Sequence, residues 1–127
     1  MKYDLSTFKQ IELIKGNPTM SVTKNGLTFS QAAIQKLAKV EYVEFLINEE
    51  QKIVAVIAKD EATENSFHFF APGKKVLSVR ITNKELRNQI ADSMSWNLTQ
   101  TDGYKVEGTY DKELNGLFFD LSTAKSL

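Results

Sequence analysis

His68 is the single histidine of this chain of 127 residues, and there is no cysteine. A zinc site needs three or four ligands. A covalent catalyst needs a nucleophile, a base and a group that orients the base. One imidazole flanked by Phe67 and Phe69 meets neither requirement and reads as an exposed strand residue. The carboxylate pairs Glu49-Glu50, Asp60-Glu61 and Asp111/Glu113 lie in polar stretches. Acid–base chemistry calls for two carboxylates in a cleft with pKa values pushed apart, whereas these read as solvated turns. Gly16 and Gly26 are not followed by the Gly-Lys-Ser/Thr of a phosphate loop, and there is no dinucleotide fingerprint. The chain therefore reads as a non-enzyme that uses no metal and no cofactor.

The remaining chemistry is electrostatic. The 16 basic and 16 acidic residues cancel, but they are segregated along the chain. Residues 9–39 hold five lysines against Glu12, net +4, and residues 74–87 hold Lys74, Lys75, Arg80, Lys84 and Arg87 against Glu85, again +4. Residues 41–64 are net −5 and residues 102–120 net −3. A zero total argues against a nonspecific polyanion binder. Segregation still allows one basic face that neutralises phosphates. On this reading Lys24, Lys74, Lys75, Arg80, Lys84 and Arg87 contact DNA. Lys84 and Arg87 are three apart at the start of a helix and share a face, where free N–H groups add affinity for phosphate. The clustered Phe67, Phe69, Phe70, Phe118 and Phe119 read as core rather than as a base-stacking platform.

Positioning these residues requires elements that the sequence punctuates clearly. The apolar fraction of 42% and charged fraction of 25% are ordinary for one globular domain. Alternation in residues 8–14 and 20–23 suggests two strands, the second ended by the turn dipeptide Asn25-Gly26. Ser30 is a good N-cap for a helix near residues 30–38 carrying Ala33, Ile34 and Leu37. Residues 42–47 and 53–57 read as a hairpin about a polar loop. Residues 60–65 read as a linker, and 66–70 and 76–81 as strands. Thr82 with Glu85 forms a capping box for a second helix near 83–95, with Leu86, Ile90 and Met94 as its apolar stripe. Residues 104–110 and 114–121 form a last hairpin. The expected fold is α+β, mainly antiparallel β with two short helices. The N-terminal residues lack the apolar core of a signal peptide, and no apolar run reaches the ~20 residues of a span. A cytoplasmic protein without membrane attachment is expected.

The halves 1–59 and 74–127 also align as an internal repeat. Phe29-Ser30-x-x-x-Ile34 matches Ile81-Thr82-x-x-x-Leu86, each an apolar residue, a hydroxyl and an apolar residue four on. Tyr42-Val43-Glu44 matches Lys105-Val106-Glu107, and the polar loop 48–53 matches 111–116.

The first half, over residues 20–58, resembles the swapped-hairpin unit of the AbrB/SpoVT-type transition-state regulators. The likeness rests on a short strand, the Lys24-Asn25-Gly26 turn, Leu27-Thr28-Phe29-Ser30, a helix ending in Lys36-Leu37, and Tyr42-Val43-Glu44-Phe45 leading a hairpin. Phe29-Ser30 stands where that family has Ile-Pro, Gly26-Leu27 where it has Gly-Arg, and Gln35 where the helix carries arginine. The resemblance implies a swapped-hairpin, barrel-like fold in which two units interlace and present basic residues to DNA. The whole chain also resembles small proteins of Gram-positive bacteria and their mobile elements, which implies no function. Two functions are expected from these observations: a DNA-binding regulatory or accessory protein, or a non-catalytic module that binds another protein. The chain would act as a monomeric pseudo-dimer or as a homodimer.

Overall fold

A computed structural model describes residues 2–8 and 16–127; the strand expected at 8–14 lies largely outside them. The described residues form a nine-stranded, antiparallel, curled half-barrel with two helices, an α+β fold. In chain order the elements are β1 (Thr19–Thr23), β2 (Gly26–Phe29), α1 (Gln31–Lys36), β3 (Tyr42–Asn48), β4 (Ile53–Lys59), β5 (Phe67–His68), β6 (Val79–Ile81), α2 (Lys84–Ser93), β7 (Tyr104–Asp111), β8 (Gly116–Asp120) and β9 (Lys125–Ser126). The sheet order is β5-β3-β4-β8-β7-β1-β2-β6, with β9 on the edge of β7.

Local chemistry explains the boundaries. Ser30 caps α1, its hydroxyl accepting from Ala33 N at 3.2 Å and from Thr19 N at 2.9 Å, so one side chain ties helix start to strand start. α2 begins one residue later than expected. Asn83, rather than Thr82, is the cap, and its side-chain oxygen accepts from Leu86 N at 2.8 Å. Both Thr and Asn fit such a position, and Asn83 is the one whose carbonyl also accepts the first helical bond, from Arg87 N. The strands expected at 66–70 and 76–81 shrink to β5 and β6. The segment between them includes Pro72 and Gly73, a pair that disfavours a continued ladder.

The ladders obey a twofold correspondence. Exchanging β1 with β5, β2 with β6, β3 with β7 and β4 with β8 turns β1·β7 into β5·β3 and β3·β4 into β7·β8. It leaves β2·β6 and β4·β8 as they are. The correspondence holds residue by residue. In β2·β6 the outer pairs Leu27↔Ile81 and Phe29↔Val79 change places while Thr28↔Arg80 maps onto itself. In β4·β8 the self-mapping pair is Ala55↔Phe118. Lys52 and Asn115, exchanged by the same operation, both have positive φ, 61° and 49°. Lys52 O accepts from Leu121 N at 2.8 Å, and Asn115 O accepts from Ala58 N at 2.9 Å.

The correspondence fails in two places. β1 pairs β2, but β5 and β6 are not paired among the described residues, which leaves the barrel open there. The other departure lies in the second hairpin. Its ladder runs to Gly108↔Phe119 and resumes at Lys105↔Lys125, so Val106 and Glu107 face the five residues 120–124. The surplus forms a 3-10 turn, Leu121–Thr123, that carries Leu121 into the core.

Inside the curl, Phe29 is 3% exposed and touches Phe45, Phe69 and Phe119 at ring distances of 6.1, 5.1 and 6.3 Å. One side chain thus joins β2, β3, β8 and the segment after β5. Of the phenylalanines expected in the core, Phe69, Phe70 and Phe119 are buried there and Phe67 packs against them, whereas strand alternation turns the partly buried Phe118 to the outer face of β8; no side-chain polar atom is buried without a partner among the described residues.

Candidate nucleic-acid interface

Strand alternation sorts the surface. In β1, β2, β6 and β7 the residues Met20, Val22, Leu27, Phe29, Val79, Ile81 and Val106 point inward and are buried. Their neighbours Ser21, Thr28, Arg80 and Lys105 therefore point outward. Register places these four side by side, Arg80↔Thr28, Thr28↔Ser21 and Ser21↔Lys105, and β9 adds Lys105↔Lys125. The result is one row across five adjacent strands: Arg80, Thr28, Ser21, Lys105, Lys125. Strands lie ~4.8 Å apart, so the row extends about 19 Å.

A groove borders the Arg80 end of the row. Its walls are Thr23, Lys24 and Asn25 of the β1–β2 turn and residues 99–102, with Thr28 and Arg80 on its floor. The turn needs Gly26, whose φ is +129° and whose hydrogen faces the Ile81 carbonyl; a Cβ would lie 2.4 Å from that oxygen. The far wall is braced by Trp96, stacked on Tyr104 with rings 4.2 Å apart and 10° from parallel. Asn97 Oδ1 accepts from Thr99 N at 3.1 Å and from its hydroxyl at 2.7 Å, fixing the start of that wall.

Of the six basic residues expected to act together, the fold places Lys24 and Arg80 in this groove. Arg87, in the second turn of α2, donates to the Lys24 carbonyl and to Asn88 Oδ1, at 3.2 and 3.0 Å in the latter case. Its guanidinium is committed to holding the turn. Lys84 is exposed at the first position of α2. Lys74 and Lys75 precede the start of β6, whereas the Lys24 turn lies beside its end. Lys74 donates to Ser78 O and lies 5.9 Å from the Phe70 ring centroid.

Sequence reasoning missed Lys105, Lys125, Ser21 and Thr28. In sequence Lys105 falls within the net-acidic stretch 102–120, but the first half of β7 pairs with β1 and leaves the second hairpin. The alternation Tyr104-Lys105-Val106-Glu107 carried the signal that Lys105 faces outward. Lys125 comes into line only through the 3-10 surplus after β8, which no periodicity announces.

Acidic residues near the row are Glu107, two along from Lys105 on the same face, and Asp102 in the groove wall. Glu107 accepts from Asn17 Nδ2 at 3.4 Å. Among the described residues no Lys or Arg side chain lies within 4.0 Å of a carboxylate, so Arg80, Lys105 and Lys125 are not paired within the row. No three His, Asp or Glu residues among those described stand close enough to hold a metal ion. No described helix is long and apolar enough to cross a membrane. No family of known proteins matches this chain, and neither do any curated protein and any solved structure.

Proposed function

We propose that the outer face of β6-β2-β1-β7-β9 binds the phosphate backbone of DNA. The row Arg80, Thr28, Ser21, Lys105 and Lys125 carries the reading, with Lys24 at its edge. Cations on either side of two adjacent hydroxyls suit an anionic polymer. Lysine and arginine release condensed counterions, and Ser and Thr hydroxyls donate to phosphate oxygens. The row contains no aromatic side chain, so bases have nothing to stack on, and recognition is of backbone rather than sequence. The acidic residues Glu49, Glu50, Asp60, Glu61 and Glu64 belong to the first hairpin and the segment after it, on the other half of the sheet order.

The test is a salt titration of binding to mixed-sequence duplex fragments. Four cations on four phosphates give a slope of log K against log salt of about −3.6. Absence of binding at ~50 mM salt, where phosphate contacts are strong, would discard the reading.

The alternative, a module that binds another protein, is favoured by a different observation. The outer face of β3-β4-β8 presents Leu46, 56% exposed, beside Ile53, Ile57 and Phe118, with Glu44, Asp111 and Asp120 around them. An apolar patch ringed by acids suits a basic, partly apolar polypeptide.

A further inference from the structure

The tetrapeptide Asp-Leu-Ser-Thr occurs twice, at residues 4–7 and 120–123. An aromatic residue precedes both copies, Tyr3 and Phe119, and a lysine follows both at the same distance, Lys9 and Lys125. The two copies fold identically. Asp4 Oδ1 accepts from Ser6 N at 3.0 Å and from its hydroxyl at 2.7 Å; Asp120 Oδ1 accepts from Ser122 N and hydroxyl at 3.0 and 2.6 Å. Thr7 and Thr123 donate from their hydroxyls to the Asp4 and Asp120 carbonyls at 2.8 and 2.7 Å. Each is a 3-10 hook closed by its own aspartate.

Their surroundings are opposite. Leu121 is fully buried, its N–H donates to Lys52 O, and the chain beyond it pairs with β7. Leu5 is 77% exposed, and Tyr3 and Phe8 beside it are 73% and 59% exposed. One hook is seated and its duplicate presents the same leucine to solvent, together with two aromatic rings.

We propose that the N-terminal hook of one chain docks on a second copy of the chain, in the seat held there by the C-terminal hook. The seat is defined by the resident copy: the core position of Leu121, the Lys52 carbonyl and the edge of β7 at Tyr104 and Lys105. The resident is held after β8 by buried Leu121, by the Leu121 N–H to Lys52 O, by the two-residue β9 and by the Leu127 N–H to Gly103 O, and short terminal segments of this kind open locally while the rest stays folded. The incoming hook brings the same leucine, the same self-closed turn and a lysine in the register of Lys125.

The experiment uses a fluorescent peptide of residues 2–9 and the full chain. In the Asp120→Ala chain the resident hook loses its closure, and the peptide binds about tenfold or more tighter than to the unaltered chain. Leu5→Ala in the peptide removes that binding. In sedimentation, the Asp120→Ala chain forms dimers, and adding Leu5→Ala to the same chain restores the monomer. Should Asp120→Ala fail to fold, Ser122→Ala, which removes only the hydroxyl bond, takes its place. Equal peptide binding to altered and unaltered chains overturns the proposal. So does a dimer that survives Leu5→Ala, or an altered chain that stays monomeric at every concentration because its own N-terminal hook fills the seat.

Discussion

Thr28 and Arg80 stand opposite each other at the one point of the β2·β6 ladder that the exchange of the two halves leaves unchanged. Both point outward between buried neighbours, and both lie on the floor of the basic groove. The groove end of the row is therefore built from both halves of the chain, one supplying a cation and the other a hydroxyl.

Arg80→Ala, Lys105→Ala and Lys125→Ala should each flatten the salt dependence of duplex binding by about 0.9 in slope. Lys74→Ala should leave the slope unchanged, because Lys74 lies before the start of β6 and outside the row. A titration in which Lys74→Ala flattens the slope and Lys105→Ala does not would move the interface to the loop before β6.

Arg87→Ala should act through stability rather than through the salt slope. Its guanidinium closes the contact between α2 and the Lys24 carbonyl. Hydrogen bonds from charged groups contribute about 1.5–3 kcal/mol, and partial solvation of this one places it at about the low end. A lowered urea midpoint with an unchanged slope for DNA is the expected pair of results.

Phe29→Ala should destabilise by about 3–5 kcal/mol. The ring is the shared contact of Phe45, Phe69 and Phe119, so its loss opens a cavity lined by three aromatics. Urea unfolding followed by Trp96 fluorescence measures it; a loss under about 1 kcal/mol, the scale of Ile→Val changes, would contradict this packing.

Gly108→Ala should destabilise by about 1–3 kcal/mol through overpacking. A methyl there would sit 2.6 Å from the Phe119 ring, which fills the space over that glycine. Thermal unfolding of the single variant and of Gly108→Ala with Phe119→Leu distinguishes overpacking from a backbone effect: the second change should recover part of the loss.

Tyr42 should ionise above the ordinary phenol value of 10.0, because hydrogen bonding to the Glu41 carboxylate, then desolvation, then the charge of Glu41 all favour the neutral ring. The folded pKa is raised, so this contribution to stability is complete below the unfolded value. It is lost as pH rises through the folded value. Absorbance titration of the chain and of Glu41→Gln reads it, and an unchanged alkaline limb in Glu41→Gln would remove Glu41 as the cause.

The class of fold was readable because its determinants are local. Ser30 before Ala33-Ile34, and the β-rich runs on either side of Asn48-Glu49-Glu50-Gln51, fix α1 and the first hairpin within a residue or two. The candidate interface was readable only in part. Lys24 and Arg80 were found because charge is visible in a string of letters. Lys105 and Lys125 were not, because their places depend on which strands pair across the chain and on a surplus turn inside a ladder. Arg87 is a related case. Its charge is visible in sequence, but its engagement by the backbone of a turn 63 positions away is not.

The hairpin β3–β4 finds its sheet neighbour in β8, and the hairpin β7–β8 finds one in β1, so each half of the chain finishes what the other begins. The polypeptide is laced rather than stacked. Cutting the exposed stretch at residues 61–65 should consequently leave both pieces held together, and the two pieces made separately should assemble by complementation. Neither lace can be tied until both ends of the chain exist, so during synthesis the first half waits, with its sheet unfinished, for the second to leave the ribosome.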